Sequence, residues 1–202
     1  MSILLNADES QLVLVDYQTK LMPAIHDGDR VVANALKLAK VASLLKLPIL
    51  GTEQHPEKLG ENIAELKVYC QKTLPKTHFG ACEDGLGEWL RAPIKPQGGN
   101  ARSLPKHLQR KSEPQDERNT IIVAGCEAHV CLLQTALGLI DEEFDVWVVT
   151  DACSSRTEVN RDAAFDRLAS NGAELVTTEM VIFEWLQSSE HPAFKAALDL
   201  VK

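Results

Sequence analysis

Two rhythms of apolar residues alternate along the chain. Short unbroken runs rich in β-branched residues predict buried strands, and apolar residues three and four apart predict helices. The first run, QLVLVDYQ at 11–18, reads as a strand ending at Asp16. After the turn-rich stretch 23–29, Val32, Ala35, Leu36, Ala39, Ala42 and Leu45 fall at helical spacing. Asp27 or Asp29 is the expected cap of that helix, and Lys46 its approximate end. PILGTE at 48–53 is a second strand, 61–68 a helix, TLPKT at 73–77 a third strand and 83–91 a short helix. Residues 93–119 are polar, with Gly98-Gly99 and several prolines, and read as a loop or insertion with a helical turn or more near 102–109. TIIVAG at 120–125 is a fourth strand, 130–140 a helix and DVWVVTD at 145–151 a fifth strand. A helix over 158–170 stops at Asn171-Gly172. AELVTT at 173–178 is the sixth strand, and helices over 181–187 and 192–201 close the chain.

Strands alternating with helices imply parallel pairing through right-handed crossovers, hence a three-layer α/β/α sandwich around a doubly wound, mostly parallel sheet. In such sheets ligands bind beyond the carboxyl ends of the strands, where strand order reverses. Asp16, Lys76 and the pair Gly125-Cys126 all fall at or just past such ends. No internal repeat is visible, and the 202 residues are enough for one sizeable core, so residues 1–202 are expected to form a single domain.

Composition narrows the function classes. A hydrophobic content of 45% with 25% charged residues fits a globular protein in water. The formal net charge of −8 argues against nucleic acid as a partner, since its binders present basic faces. The opening MSILLNADES has no basic n-region, and no apolar stretch is long enough to span a bilayer, so neither a signal peptide nor a membrane partner is expected. Cys70, Cys82, Cys126, Cys131 and Cys153 form an odd set without a CxxC pair. Free thiols in a reducing, cytoplasmic setting follow as the default.

Several chemistries are missing from the sequence. The first strand runs into DYQTKLMP with no glycine-rich turn, and neither a P-loop nor a GxSxG elbow occurs. A phosphatase-type cysteine needs an arginine six residues on, where Cys126 has Leu132 and Cys131 has Leu137. His26, His55, His78, His107, His129 and His191 form no paired or clustered ligand set, so no metal and no cofactor are expected. A lone cysteine in an apolar helix is ordinarily a small core residue. That reading is kept for Cys70, Cys82, Cys126 and Cys153. Cys131 differs because it falls near a helix start, where free N–H groups and the positive end of the dipole favour an anion. A thiol of pKa ~8.5 needs a shift of roughly two units, about 2.7 kcal/mol, to become mostly thiolate at neutral pH. The helix end supplies ~0.3–1 and at best about 2 kcal/mol. A cation and a proton acceptor are needed beside it. Lys76 and Asp16 can serve, if the sheet brings them together.

The stretches LVLVDYQTKLMP, LGTEQHPEKLG, LPKTHFG and AGCEAHVCLLQTALGLIDEEFDVWVVTDACSSR, in this order, resemble the isochorismatase-like cysteine hydrolases. The likeness is closest to the isochorismatase-domain-containing branch, runs from about Gln11 to Thr178, and leaves out most of 90–119. It implies strand order 3-2-1-4-5-6, a homo-oligomer, and a triad of Asp16, Lys76 and the nucleophile Cys131. It also implies a cis peptide at Cys126–Glu127 that aims the backbone amides of Glu127 and Cys131 at an oxyanion. Two departures limit the transfer. Where metal-using nicotinamidases of the superfamily carry Asp-x-His, this chain reads Glu53-Gln54-His55, so neither a metal nor that activity is expected. A cysteine at the nucleophile position points away from cleavage of the vinyl ether of isochorismate.

The expected reaction is therefore hydrolysis of a small amide through a thioester, with main-chain donors each contributing roughly 2.7–4 kcal/mol at the oxyanion. Tyr17, Phe79 and His129 are candidates for the pocket mouth, each equally a packing residue. Arg156 is placed either on an acidic substrate or neighbouring subunit, or in a structural salt bridge. Two other classes stand beside the enzyme: a catalytically silent scaffold retaining the fold, and a redox sensor pairing Cys126 with Cys131.

Overall fold

The computed structural model describes residues 3–92 and 118–201. Its centre is a six-stranded sheet of β1 (Ser10–Val15), β2 (Ile49–Gln54), β3 (Lys72–Lys76), β4 (Thr120–Gly125), β5 (Asp145–Val149) and β6 (Glu174–Val176). All ladders are parallel and the strand order is 3-2-1-4-5-6, as expected. Burial follows position in the sheet. β1 and β2 are buried along their whole length, whereas the edge strands β3 and β6 keep exposed residues. Pro75 sits in edge strand β3, the place in a sheet where proline is tolerated.

The sheet is covered on both faces. α1 (Gly28–Leu44) buries Val31, Ala35, Leu38, Ala39 and Ala42 and packs with α7 (Thr178–Leu186) and α8 (Phe194–Val201). α5 (Leu133–Asp141) and α6 (Glu158–Ser170) pack together, connecting β4 to β5 and β5 to β6. Because strand order reverses between β1 and β4, right-handed crossovers put these two groups on opposite faces. Short helices α2 (Pro56–Leu59), α3 (Ala64–Lys67) and α4 (Leu86–Arg91) fill the connections around β3.

β4 and α6 have the bounds the pattern predicts; other elements differ for local reasons. Asp27 holds the cap position of α1 in a left-handed conformation, but its carboxylate pairs with Arg30 at 2.7 Å and does not cap. The helix expected over 61–68 shrinks to α3, and the unpredicted α2 starts at Pro56, a residue preorganised for a first helical turn. The sixth strand is shorter than 173–178 because Thr177 caps α7, its side chain accepting from Met180 N–H. The fifth strand ends at Val149 and passes into a tight 3₁₀ turn over Thr150–Ala152. The loop expected over 93–119 lies, up to residue 117, outside the described residues.

Candidate active site

Three strand ends build the site. β1 stops at Val15, and Asp16 turns the chain with a left-handed φ of 52°, a conformation that aspartate tolerates better than most residues. Thr52 of β2 donates its hydroxyl to Asp16 Oδ1 at 2.7 Å and fixes the carboxylate plane. Lys76, the last residue of β3, places its ammonium 2.8 Å from Asp16 Oδ2, with both side chains wholly buried. The ammonium approaches Oδ2 off the hydrogen-bonding direction: the oxygen is in ion-pair contact and makes no hydrogen bond. Lys76 Nζ instead donates to Gln54 Oε1 at 2.6 Å, to the Phe79 carbonyl at 3.0 Å and to the His78 carbonyl at 3.3 Å.

The fourth strand supplies the sulfur. Gly125 ends β4 against Val15, so close that a Cβ there would run into the Val15 carbonyl oxygen. Only glycine lets β1 and β4 approach this way. The peptide Cys126–Glu127 is cis. Cys126 N–H continues the ladder to the Val15 carbonyl at 3.0 Å, and Ala128 N–H bonds the Ser154 carbonyl at 2.8 Å. The chain then enters a single wide π turn over Ala128–Leu132, in which the Glu127 carbonyl accepts from Val130 and Leu132, before α5 begins. π turns of this kind are frequent at functional sites. Cys131 lies inside this turn, just ahead of α5, and retains 6% exposure.

Electrostatics at the sulfur are set by burial and by the ion pair. The Cys131 thiol is pushed up to about 12 from an ordinary value of 9.0, by burial first and by the Asp16 charge second, with Lys76 pulling the other way. This surrounding favours the protonated form of the sulfur, in keeping with Asp16 as the acceptor of its proton. Burial and the Asp16 carboxylate outweigh the ammonium and the helix terminus. A proton acceptor must therefore act during the chemical step rather than before it. The other cysteines are free as well, and burial pushes Cys126 to about 12 and Cys70 to about 11.

The remaining predicted residues divide. Tyr17 is wholly buried and donates its hydroxyl to the Ala152 carbonyl at 2.6 Å, so it packs the interior and does not reach the mouth. Phe79 is 54% exposed, and its carbonyl rather than its ring touches the site. His129, half-buried, has Nδ1 2.9 Å from Ser155 Oγ. Arg156 takes the structural option: its Nε bonds Glu127 Oε2 at 2.7 Å, and the carboxylate also accepts from Arg156 N–H at 3.3 Å. This pair ties the loop after β5 to the turn that carries Cys131. Where nicotinamidases have Asp-x-His, Glu53 accepts from Asn62 N–H and pairs with Lys67 at 3.1 Å, Gln54 binds Lys76, and His55 bonds Glu57.

Sequence reasoning missed Thr52 and Gln54. Their signal was polarity inside a strand that is buried throughout. A cleft of about 340 Å³ beside the end of β5, edged by Asp27, Arg30, Asp151, Arg161, Asp162 and Phe165, includes none of the predicted site residues.

The isochorismatase domain model matches residues 10–180. The chain belongs to the isochorismatase family. Isochorismatase domain-containing protein 2A of Mus musculus is 33% identical over 96% of this chain and 84% of its own length. The Homo sapiens isochorismatase domain-containing protein 2 is 33% identical over 96% and 83%. Among solved structures, the MAR1 ribonuclease of Caenorhabditis elegans is 29% identical, with a TM-score of 0.82 over 98% of this chain and 91% of that one. The YcaC gene product of Escherichia coli, an octameric hydrolase of unknown specificity, is 25% identical, with a TM-score of 0.79 over 99% and 90%. Members of this isochorismatase-like family are generally hydrolases.

Proposed function

We propose that this isochorismatase-family protein is a cysteine hydrolase that cleaves the C–N bond of a small amide. The observation that carries the reading is the buried Asp16–Lys76 ion pair, whose two charges both act on the Cys131 thiol at the carboxyl ends of the sheet. Asp16 takes the thiol proton as sulfur bonds to the amide carbon, and the carbonyl electron pair moves onto oxygen. The backbone amides of Glu127 and Cys131 are the donors to that oxyanion. Lys76 balances the charge as the proton moves. Collapse breaks the C–N bond, and Asp16 returns the proton to the leaving amine. Water, deprotonated by Asp16, then attacks the thioester; the acid departs and sulfur regains its proton. No step needs a metal or cofactor. A homo-oligomer in the cytoplasm is the setting we infer: the Escherichia coli relative is an octamer, and all five cysteines are free. Among the described residues no helix is long and apolar enough to cross a membrane.

The name of the Caenorhabditis elegans relative raises RNA as a second substrate class. The formal net charge of −8 opposes binding to a phosphate backbone and makes small amides the stronger choice. A panel of small aliphatic and aromatic amides, with RNA as a separate arm, tests both. Amine or ammonia release by the native protein, lost in Cys131→Ala, is expected. No turnover of any amide, with Cys131 no more reactive than Cys70, would leave the silent scaffold standing instead.

A further inference from the structure

An ammonium carries three N–H donors and no acceptor. At Lys76 those three have three neutral takers: Gln54 Oε1, the Phe79 carbonyl and the His78 carbonyl. Asp16 Oδ2 is thus a fourth neighbour held by charge alone, and it has no hydrogen-bond partner although it is buried. Its sister oxygen is already occupied by the Thr52 hydroxyl. Of the two carboxylate oxygens, Oδ2 is thus the one that no donor engages.

Gln54 makes the shortest of the three contacts, and its orientation is overdetermined. Its Nε2 donates to the Thr77 carbonyl at 2.8 Å while its Oε1 accepts from Lys76. Neither end can be exchanged, since a lysine only donates and a carbonyl only accepts. Its backbone is clamped as well. Gln54 N–H donates to Gln18 Oε1 at 2.9 Å, and Gln18 Nε2 donates back to the Gln54 carbonyl at 3.0 Å and to the Gly60 carbonyl at 2.6 Å. Gln18 and Gln54 are both buried.

We propose that Gln54 is a positioning residue: by engaging Lys76 it keeps the ammonium from hydrogen-bonding Asp16 Oδ2, so that this oxygen stays open to the proton of Cys131. The inference rests on the cysteine-hydrolase reading. Without Gln54, the freed N–H of Lys76 turns onto Oδ2, and an oxygen bonded to an ammonium is a weaker acceptor for the thiol proton.

Alkylation by iodoacetamide tests this without knowledge of the substrate, with the Cys131 adduct quantified by mass spectrometry. In the native protein, Asp16 assists deprotonation, and the labelling rate is expected to stay nearly flat across neutral pH. In Gln54→Met and Gln54→Asn, both neutral, the rate at neutral pH falls at least about tenfold and then climbs about tenfold per pH unit, as for an unassisted thiol. Near-UV circular dichroism establishes that each variant is folded; if Gln54→Met is not, Gln54→Asn decides. A folded variant whose rate stays within about twofold of native, with the same flat profile, overturns the inference. Asp16→Asn separates the two levels. If it loses the flat profile while the Gln54 variants keep it, only the positioning role fails. If it labels like the native protein, the hydrolase reading fails with it.

Discussion

Lys76 and Asp16 together are a buried ion pair whose members depend on each other. Removing one partner of such a pair leaves an uncompensated charge and costs roughly 3–5 kcal/mol. Lys76→Met should therefore lower the unfolding free energy by about that amount in urea denaturation, and adding Asp16→Asn to it should restore much of the loss. An unrestored double variant would mean that Lys76 contributes mainly through packing of its chain. At this scale the sequence was legible where a residue stood at a strand end. Asp16 and Lys76 form an ion pair at 2.8 Å, and both charges act on the Cys131 thiol. Thr52 and Gln54 were not legible, because their contacts depend on which strands are neighbours and in what register, and Thr52 faces Leu74 while Gln54 faces Lys76 only through the β2–β3 ladder. Of the two readings open for Tyr17, the buried ring takes the packing one.

The turn from β4 into α5 decides where the sulfur stands. Its wide i→i+5 closure over Ala128–Leu132 leaves no trace in a periodic apolar pattern, which explains why one regular helix was expected over 130–140. Strand β4 itself was readable to the residue, since an unbroken buried run bounded by glycine admits no other register. Gly125 sets the separation of β1 and β4, and with it the distance from Asp16 to Cys131. Gly125→Ala forces a methyl into the Val15 carbonyl. Overpacking of this kind costs roughly 1–3 kcal/mol or more. Thermal unfolding should show that loss, and Cys131 labelling should slow even in the fraction that folds, because the two strand ends must part. Native-like labelling in a destabilised Gly125→Ala would separate strand spacing from reactivity.

For the whole molecule, the strand order and two-sided cover follow from the alternation of strands and helices together with the family likeness, whereas short elements around β3 do not, since they are built from single turns with no repeat to read. The buried thiols give the fold a pH limit. Burial pushes Cys126, Cys131 and Cys82 to about 12 and Cys70 to about 11, above an ordinary 9.0. A raised folded-state value means the folded protein holds protons that the unfolded chain releases. The stabilisation is complete below pH about 9 and drains away as pH rises toward about 12. Urea midpoints should be level through neutral pH and fall above pH about 9; a midpoint still level there would show that these thiols ionise without unfolding. The concealment of Lys76 also bears on handling the protein. Its amine is wrapped by the carbonyls of the very segment that follows it, out of contact with water. Reagents that acylate amines, or resins that couple through them, meet the lysines on the outside and pass this one by. The protein can thus be tethered or dye-tagged through its outer amines with the reactive centre untouched.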